Sequence, residues 1–176
     1  MPTLVLDPPP AQLQELLEHR RRIGADHHDE MWQGVLHMAP APRNAHADVQ
    51  QQLSDLLGPL ALRAGLHPLL AGAFNLGEPQ DYRVPDGGLL RDRRDATWNP
   101  TAALVVEIVS PGDESWEKFP FYAAHGVDEV LIVDPAKRTC DWLALREGEY
   151  RPIERSGLID LGASDLAERI DWPPTE

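Results

Sequence analysis

The sequence is poor in cysteine and in basic residues. Cys140 is the one cysteine among 176 residues, which excludes an intrachain disulfide and fits a reducing compartment. The 16 Lys and Arg residues are outnumbered by 29 Asp and Glu residues, and the formal net charge is −13. Indiscriminate binding to nucleic acid needs many cationic side chains against phosphates, so this balance argues against it. It favours high solubility, or a cluster of carboxylates around a bound cation.

Long apolar runs are also missing. No segment approaches the roughly 20 apolar residues of a membrane-spanning helix. The N-terminus, MPTLVLDPPP, lacks the basic start and long apolar core of a signal peptide. We therefore expect a cytoplasmic protein with no membrane partner. The length predicts one domain over residues 1–176, with residues 1–25 as an N-terminal helical extension that includes the stiff prolines 8–10.

Apolar periodicity and turn residues divide the chain into helices and strands. The longest predicted helix covers residues 44–64, and Pro59 inside it predicts a kink or a break. Gly126 is a good left-handed cap for a helix over residues 114–125. Two further helices are predicted, at 11–22 and, as a short helix, at 164–170. The predicted strands are a hairpin at 31–38 and single strands at 66–74, 74–77, 84–90, 103–109, 127–133, 139–145 and 150–153. A linker is predicted at 40–42, a turn at 99–100, and the end of a strand at 110–113.

Glu107 is the one charged residue in the apolar run ALVVEIV, which is typical of a strand covered on both faces. An isolated carboxylate there costs several kcal/mol unless it is paired, metal-bound or neutralised. Asp86 lies on the preceding predicted strand, and two carboxylates on neighbouring strands can bind magnesium or manganese. Val109 shares the strand face of Glu107, so the strand itself supplies no lysine. Lys118, in the following helix, could fold back over the strand end.

Each of these residues has a simpler interpretation. A Pro-Asp pair is common, Glu107 could face a solvated sheet edge, and Lys118 could be a surface residue paired with Glu114. The polar run at residues 27–30, His-His-Asp-Glu, suggests metal ligands but is better read as a loop or strand entry, because adjacent side chains point apart. His46 is best read as an exposed histidine in the first turn of the longest helix.

Four segments together resemble the PD-(D/E)XK nuclease superfamily. They are Pro85 with Asp86, LVVEIVSP at residues 104–111, Glu117 with Lys118, and YAAHGVDEVLIVDP at residues 122–135. Within it, the chain resembles a bacterial restriction-endonuclease-like family whose lysine is displaced onto the following helix, and the segment from 33 to 46 resembles that family's opening.

The resemblance implies an α/β fold with a mixed sheet flanked by helices and a restriction-endonuclease-like core. It implies Asp86 and Glu107 as metal ligands, Lys118 as the displaced catalytic lysine, and Mg²⁺ or Mn²⁺ as cofactor. The expected function is metal-dependent endonucleolytic hydrolysis of phosphodiester bonds in nucleic acid, with DNA as the expected substrate. The alternative is an interaction module that keeps the fold with weak or no catalysis. We also expect a homodimer, because cutting both strands of a duplex usually pairs two active sites.

Overall fold

The structure is a computed structural model that describes residues 11–39, 42–110 and 115–174. Four α-helices occur in this part of the chain, and a 3₁₀ turn at Ser115–Lys118 leads directly into the third. The helices are α1 (Ala11–Ile23), α2 (Asn44–Arg63), α3 (Phe119–Ala124) and α4 (Ala163–Ala167). No helix in the described ranges is long and apolar enough to cross a membrane.

A six-stranded mixed sheet forms the centre of the domain, in the strand order β11-β10-β9-β8-β6-β3. Its central pair, β8 and β9, is parallel, and the other neighbours are antiparallel. The strands are β3 (His67–Leu69), β6 (Gly87–Leu90), β8 (Leu104–Ile108), β9 (Glu129–Asp134), β10 (Thr139–Arg146) and β11 (Glu149–Ile153).

Strand β8 is buried on both faces, as its continuous apolar run predicts. On one face, Val106 belongs to a core that contains the apolar stripe of α2. On the other face, Val105 belongs to a core that contains Phe121 and Tyr122 of α3. Because side chains alternate along a strand, Glu107 lies on the α3 side with Val105.

A second sheet of five short strands has the order β2-β1-β5-β4-β7. Its members are β1 (Glu30–Trp32), β2 (Val35–His37), β4 (Asn75–Glu78), β5 (Asp81–Arg83) and β7 (Trp98–Asn99). The predicted hairpin is its β1-β2 pair, closed by Gln33 and Gly34 at positive φ. The predicted fold class, a mixed sheet flanked by helices in one domain, is confirmed, although the separate second sheet was not predicted.

Several predicted boundaries were wrong for local reasons. Helix α2 runs through Pro59 without a break, because the residues after the proline, including Ala61, remain packed in the core. The strand predicted at 84–90 begins only at Gly87, after Pro85, and Asn99 lies in β7 rather than in a turn. The helix predicted at 114–125 starts as a 3₁₀ turn, since Pro120 is tolerated only in the first turn of an α-helix.

Some predictions fall outside the described residues. These are the prolines 8–10, residues 40–41 of the linker, residues 111–113 of the strand stop, and Glu114 as the surface partner of Lys118. The boundary of the N-terminal extension at residue 25 stays a prediction.

Candidate active site

Asp86 and Glu107 are brought together by the pairing of β6 with β8. The last pair in this antiparallel register is Gly87 with Val106, so one step further places Asp86 opposite Glu107. Residues directly opposite in an antiparallel pair project from the same sheet face. The backbone N–H of Ile108 donates a 2.7 Å hydrogen bond to Oδ2 of Asp86, which fixes the carboxylate beside the strand that carries Glu107.

Helix α2 holds Asp86 from its other side. Nε2 of His46 lies 3.0 Å from Oδ1 of Asp86, and Nε2 of Gln50 donates a 2.6 Å bond to the Asp86 backbone carbonyl. His46 and Gln50 are four residues apart and therefore share a helix face. His46 is thus a contact of a predicted site residue, and the interpretation of an exposed first-turn histidine was wrong, since its side chain is 15% exposed.

The glycine that follows Gly87 allows close packing beside Asp86. A Cβ on Gly88 would lie 2.7 Å from the ring of Phe74 and 2.8 Å from the carbonyl oxygen of Leu104. Glycine at this position therefore lets the Phe74 ring pack directly on β6, and it leaves room for the neighbouring backbone of β8.

Glu107 is 2% exposed and receives hydrogen bonds from three side chains. The Tyr122 hydroxyl donates to Oε1, the Ser115 hydroxyl lies 3.4 Å from Oε2, and Nζ of Lys118 lies 3.2 Å from both oxygens. All three donors come from the 3₁₀ turn and α3, which directly follow β8 in the chain. The interpretation of Glu107 as a solvated edge residue was wrong.

Lys118 also contacts a second carboxylate, from the other sheet. Its Nζ lies 2.9 Å from Oε1 of Glu30, and its side chain is only 12% exposed. Glu30 is held in turn by the indole N–H of Trp32 at 2.7 Å and the backbone N–H of Val84 at 2.8 Å. Lys118 is therefore a buried cation between Glu30 and Glu107 and not a surface residue.

The electrostatics follow from this burial. The pKa of Glu107 is raised to about 8, and burial is the largest cause. The Lys118 ammonium group lowers this pKa, whereas the carboxylates of Asp86 and Glu30 raise it further. Burial lowers the pKa of Lys118, but the carboxyl groups of Glu107 and Glu30 outweigh it and hold that pKa above its ordinary value. Burial and then Glu107 raise the pKa of Tyr122 well above its ordinary value, so the phenol stays a hydrogen-bond donor.

The donor set fits a hard divalent cation. Three carboxylates, Asp86, Glu107 and Glu30, face one lysine, which leaves negative charge for a cation to balance. Within residues 11–39, 42–110 and 115–174, no three His, Cys, Asp or Glu side chains form a metal-binding group. Magnesium is commonly bound by one or two carboxylates, with water and substrate phosphate as further ligands, whereas a structural zinc site needs four protein ligands.

Five residues of this constellation were not predicted as site members: Glu30, His46, Gln50, Ser115 and Tyr122. Glu30 was noticed only within the polar run 27–30, and the strand-entry interpretation of that run is confirmed, because Glu30 begins β1. Asp29 is turned elsewhere, toward the Arg20 guanidinium of α1. A buried tyrosine hydroxyl needs a hydrogen-bond partner. Tyr122 is four residues after Lys118, one helical turn, and this spacing is the sequence feature that places the two side chains on the same helix face.

Comparison with known proteins agrees with the geometry. A solved structure, a "putative nuclease belonging to DUF820" from Anabaena variabilis ATCC 29413, matches 80% of this chain and 90% of its own, with a TM-score of 0.65 and 15% sequence identity. The chain therefore shares the fold of that protein. The model of the Uma2 family, described as "Putative restriction endonuclease", matches residues 11–167, and the chain belongs to that family. No curated protein matches it.

Family membership confirms the predicted superfamily and supports a nuclease-like function. At 15% identity the solved structure speaks for the fold alone. The roles of Asp86, Glu107 and Lys118, the metal and the substrate stay proposals.

Proposed function

We propose that the protein is a Mg²⁺- or Mn²⁺-dependent endonuclease that hydrolyses phosphodiester bonds in DNA. The observation that carries this proposal is that the Asp86 carboxylate accepts the backbone N–H of Ile108, the neighbour of Glu107, at 2.7 Å, and that the Lys118 ammonium group lies 3.2 Å from the Glu107 carboxyl oxygens. A paired carboxylate site with one buried cation suits phosphoryl chemistry, in which positioning and charge stabilisation do most of the work.

In this proposal Asp86 and Glu107 hold the metal. A divalent ion held by these two carboxylates would activate a water and would stabilise charge on the phosphate. Ile108 and His46 keep Asp86 in place, and Ser115 and Tyr122 orient Glu107.

The role of Lys118 follows from its charge state. Its pKa is held above the ordinary value, so Nζ keeps its proton at neutral pH. Lys118 therefore acts as a fixed ammonium group that hydrogen-bonds a phosphate oxygen or the attacking water, and not as the base that accepts a proton. Glu30 keeps this ammonium group at the site.

A cytoplasmic location and a homodimer are further parts of the proposal. The location rests on the single, buried Cys140 in a chain without a partner cysteine for a disulfide. The net charge of −13 favours a second candidate, an interaction module with little or no catalysis, because a nuclease must approach a polyanion.

The test is metal-dependent cleavage by Glu107→Gln. We expect the parent to cut one or more members of a DNA and RNA panel with Mn²⁺ or Mg²⁺, and Glu107→Gln to abolish that cleavage while the fold stays intact. The metal-free variant should be at least as stable as the parent, because a buried ionisable group has been removed while Glu30 still pairs with the Lys118 ammonium group.

Glu129→Gln is the matched control. Glu129 is also a buried carboxylate of the central sheet, but it accepts hydrogen bonds from Ser156 at 2.6 Å and Gly157 at 2.8 Å. Cleavage by Glu107→Gln at the parent's rate would remove Glu107 from the mechanism. Failure of the parent to bind Mn²⁺ or to cut any substrate would favour the interaction module.

A further inference from the structure

A cleft of about 610 Å³ opens beside the proposed catalytic centre. Its walls come from the turn before β1, helix α2, the loop after β3, and the second sheet. The side chains used in the argument are Asp26, His27, His28, Gln50, Tyr82 and Trp98. The volume lies within the range of sites that hold one small organic group, roughly 300–1,000 Å³.

The cleft is linked to the segment that carries Asp86 through one side chain, Gln50. Gln50 lines it, and the same Gln50 amide donates the 2.6 Å bond to the backbone carbonyl of Asp86. Tyr82 pairs in the sheet with Met31, the neighbour of Glu30. A group seated in the cleft would therefore belong to a substrate whose reacting part lies at Asp86.

Two aromatic rings form the wall on the side of the second sheet. The rings of Tyr82 and Trp98 meet edge to face, with their centroids 4.8 Å apart, and both side chains are only half-buried. Half-buried aromatic faces beside a nuclease site suit the π-face of a nucleobase, because base–aromatic stacking tolerates any base.

The carboxylates of the cleft disfavour a bound phosphate. Among the described residues, its lining contains Asp26 and Asp29 and no Lys or Arg. The Asp29 carboxylate is offset by Arg20 of α1, and the basic side chains in the lining itself are His27 and His28. A neutral nucleobase avoids the repulsion that a phosphate would meet, and its N–H groups can donate to a carboxylate such as that of Asp26.

We propose that this cleft binds an unpaired nucleobase next to the phosphate that is cut, by stacking on Tyr82 and Trp98. A paired base cannot present its face to a protein side chain while it stays stacked in a duplex. The substrate class is therefore single-stranded DNA, or duplex DNA with an unpaired nucleotide. This inference rests on the proposed nuclease function and explains how an acidic chain binds nucleic acid with few phosphate contacts.

The test measures binding without cleavage, by fluorescence anisotropy of labelled oligonucleotides in EDTA. The probes are a single strand, the same strand with abasic positions, a perfect duplex, and a duplex with one unpaired nucleotide. We expect the single strand and the duplex with the unpaired nucleotide to bind at least about tenfold more tightly than the perfect duplex or the abasic strand. Equal binding of all four probes would overturn the proposal.

Trp98→Ala should weaken binding of the single strand by about 5- to 100-fold and leave binding of the abasic strand unchanged, since a single base stack is lost. Trp98→Phe keeps an aromatic ring and should restore most of the affinity. Trp116→Ala is the matched control, because Trp116 is a 54% exposed tryptophan outside the cleft. Equal losses in Trp98→Ala and Trp116→Ala would overturn the assignment of the cleft.

Base binding in the cleft and metal-dependent cleavage can fail independently of each other. Selective binding of unpaired DNA with no cleavage in Mn²⁺ would support the cleft and contradict the proposed nuclease function. Cleavage of perfect duplex and single strand at equal rates, with no effect of Trp98→Ala, would leave the nuclease function standing and overturn the cleft.

Discussion

Lys118 lies between two buried carboxyl groups, 2.9 Å from Glu30 and 3.2 Å from Glu107. Removing one partner of a buried ion pair leaves an uncompensated charge, which is far more costly than losing an exposed pair. The three residues are therefore one electrostatic unit. Substitutions within the unit separate the contribution of each member to rate, metal affinity and stability.

Lys118→Ala should lower the cleavage rate by about 10²- to 10⁴-fold, the usual worth of one positioned electrostatic or proton-transfer group. Affinity for Mn²⁺ should survive, because Asp86 and Glu107 remain. Adding Val109→Lys should recover part of the lost rate, since Val109 shares the strand face of Glu107. Recovery stays partial because Val109 packs against the core.

The control for this pair of variants is Lys137→Ala, which removes the other lysine of the sequence. Lys137 is 77% exposed and pairs with Asp134. Single-turnover cleavage and Mn²⁺ titration are the measurements. Normal cleavage by Lys118→Ala would show that its burial between two carboxylates is structural only.

Glu107 predicts a pH dependence of stability in the metal-free protein. Its folded pKa of about 8 is above the ordinary value of 4.5, chiefly because of burial. Between these two values the folded state holds a proton that the unfolded state has released, so the free energy of unfolding falls as pH rises. We expect the parent to lose stability from about pH 5 to pH 8 in EDTA.

Glu107→Gln should lack this contribution, so its free energy of unfolding should fall less over the same pH range. Urea denaturation at several pH values, with EDTA present, measures the difference between the two proteins. Parallel pH profiles for parent and variant would mean that Glu107 is charged throughout.

At the scale of secondary structure, periodicity predicted the elements that pack through regular apolar faces. Helix α2 follows its apolar stripe, with Val49, Leu53 and Leu57 buried. Strand β8 lies within its predicted apolar run, and Glu107 was identified as a candidate site residue because it is the one charged residue in that run. The pairing of β6 with β8 brings Asp86, which directly precedes β6, beside the strand that carries Glu107.

The second sheet could not be predicted in the same way. Its strands have two to four residues each, too short for a period of two to be read. Its pairs join distant segments, such as Met31 with Tyr82. Glu30 reaches Lys118 only through this non-local pairing, so its place in the site was not readable from local sequence.

Strand β1 therefore contributes a positioning residue, and Glu30→Gln tests it. The variant keeps an oxygen that can accept from Trp32 but removes one of the two charges that hold the Lys118 ammonium group. We expect kcat to fall by about tenfold or more, with KM and Mn²⁺ affinity little changed, since a charge-assisted hydrogen bond is worth about 1.5–3 kcal/mol.

Glu30→Asp is the informative companion to this variant. It keeps the charge but shortens the side chain by one methylene group, so it should recover some of the lost rate. A fall in thermal stability with kcat unchanged would contradict the positioning role and assign Glu30 to the fold alone.

For the whole molecule, the acidic charge and the composition of the site have to be considered together. The net charge is −13, yet the family is described as nuclease-like. Asp86, Glu107, Lys118 and Glu30 all come from the same chain, so one protomer carries a full set of proposed catalytic residues. A second copy is therefore needed only to place a second site on the opposite strand of a duplex.

We predict a closed two-fold homodimer, the commonest symmetry among soluble oligomers, because cutting both strands of a duplex pairs two active sites. Light scattering at micromolar concentration should give twice the 19.6 kDa mass of the chain. Duplexes carrying an unpaired nucleotide on each strand should then be cut on both strands in one encounter, with little nicked intermediate. A mass of one chain, together with accumulation of nicked DNA, would show that each site acts alone.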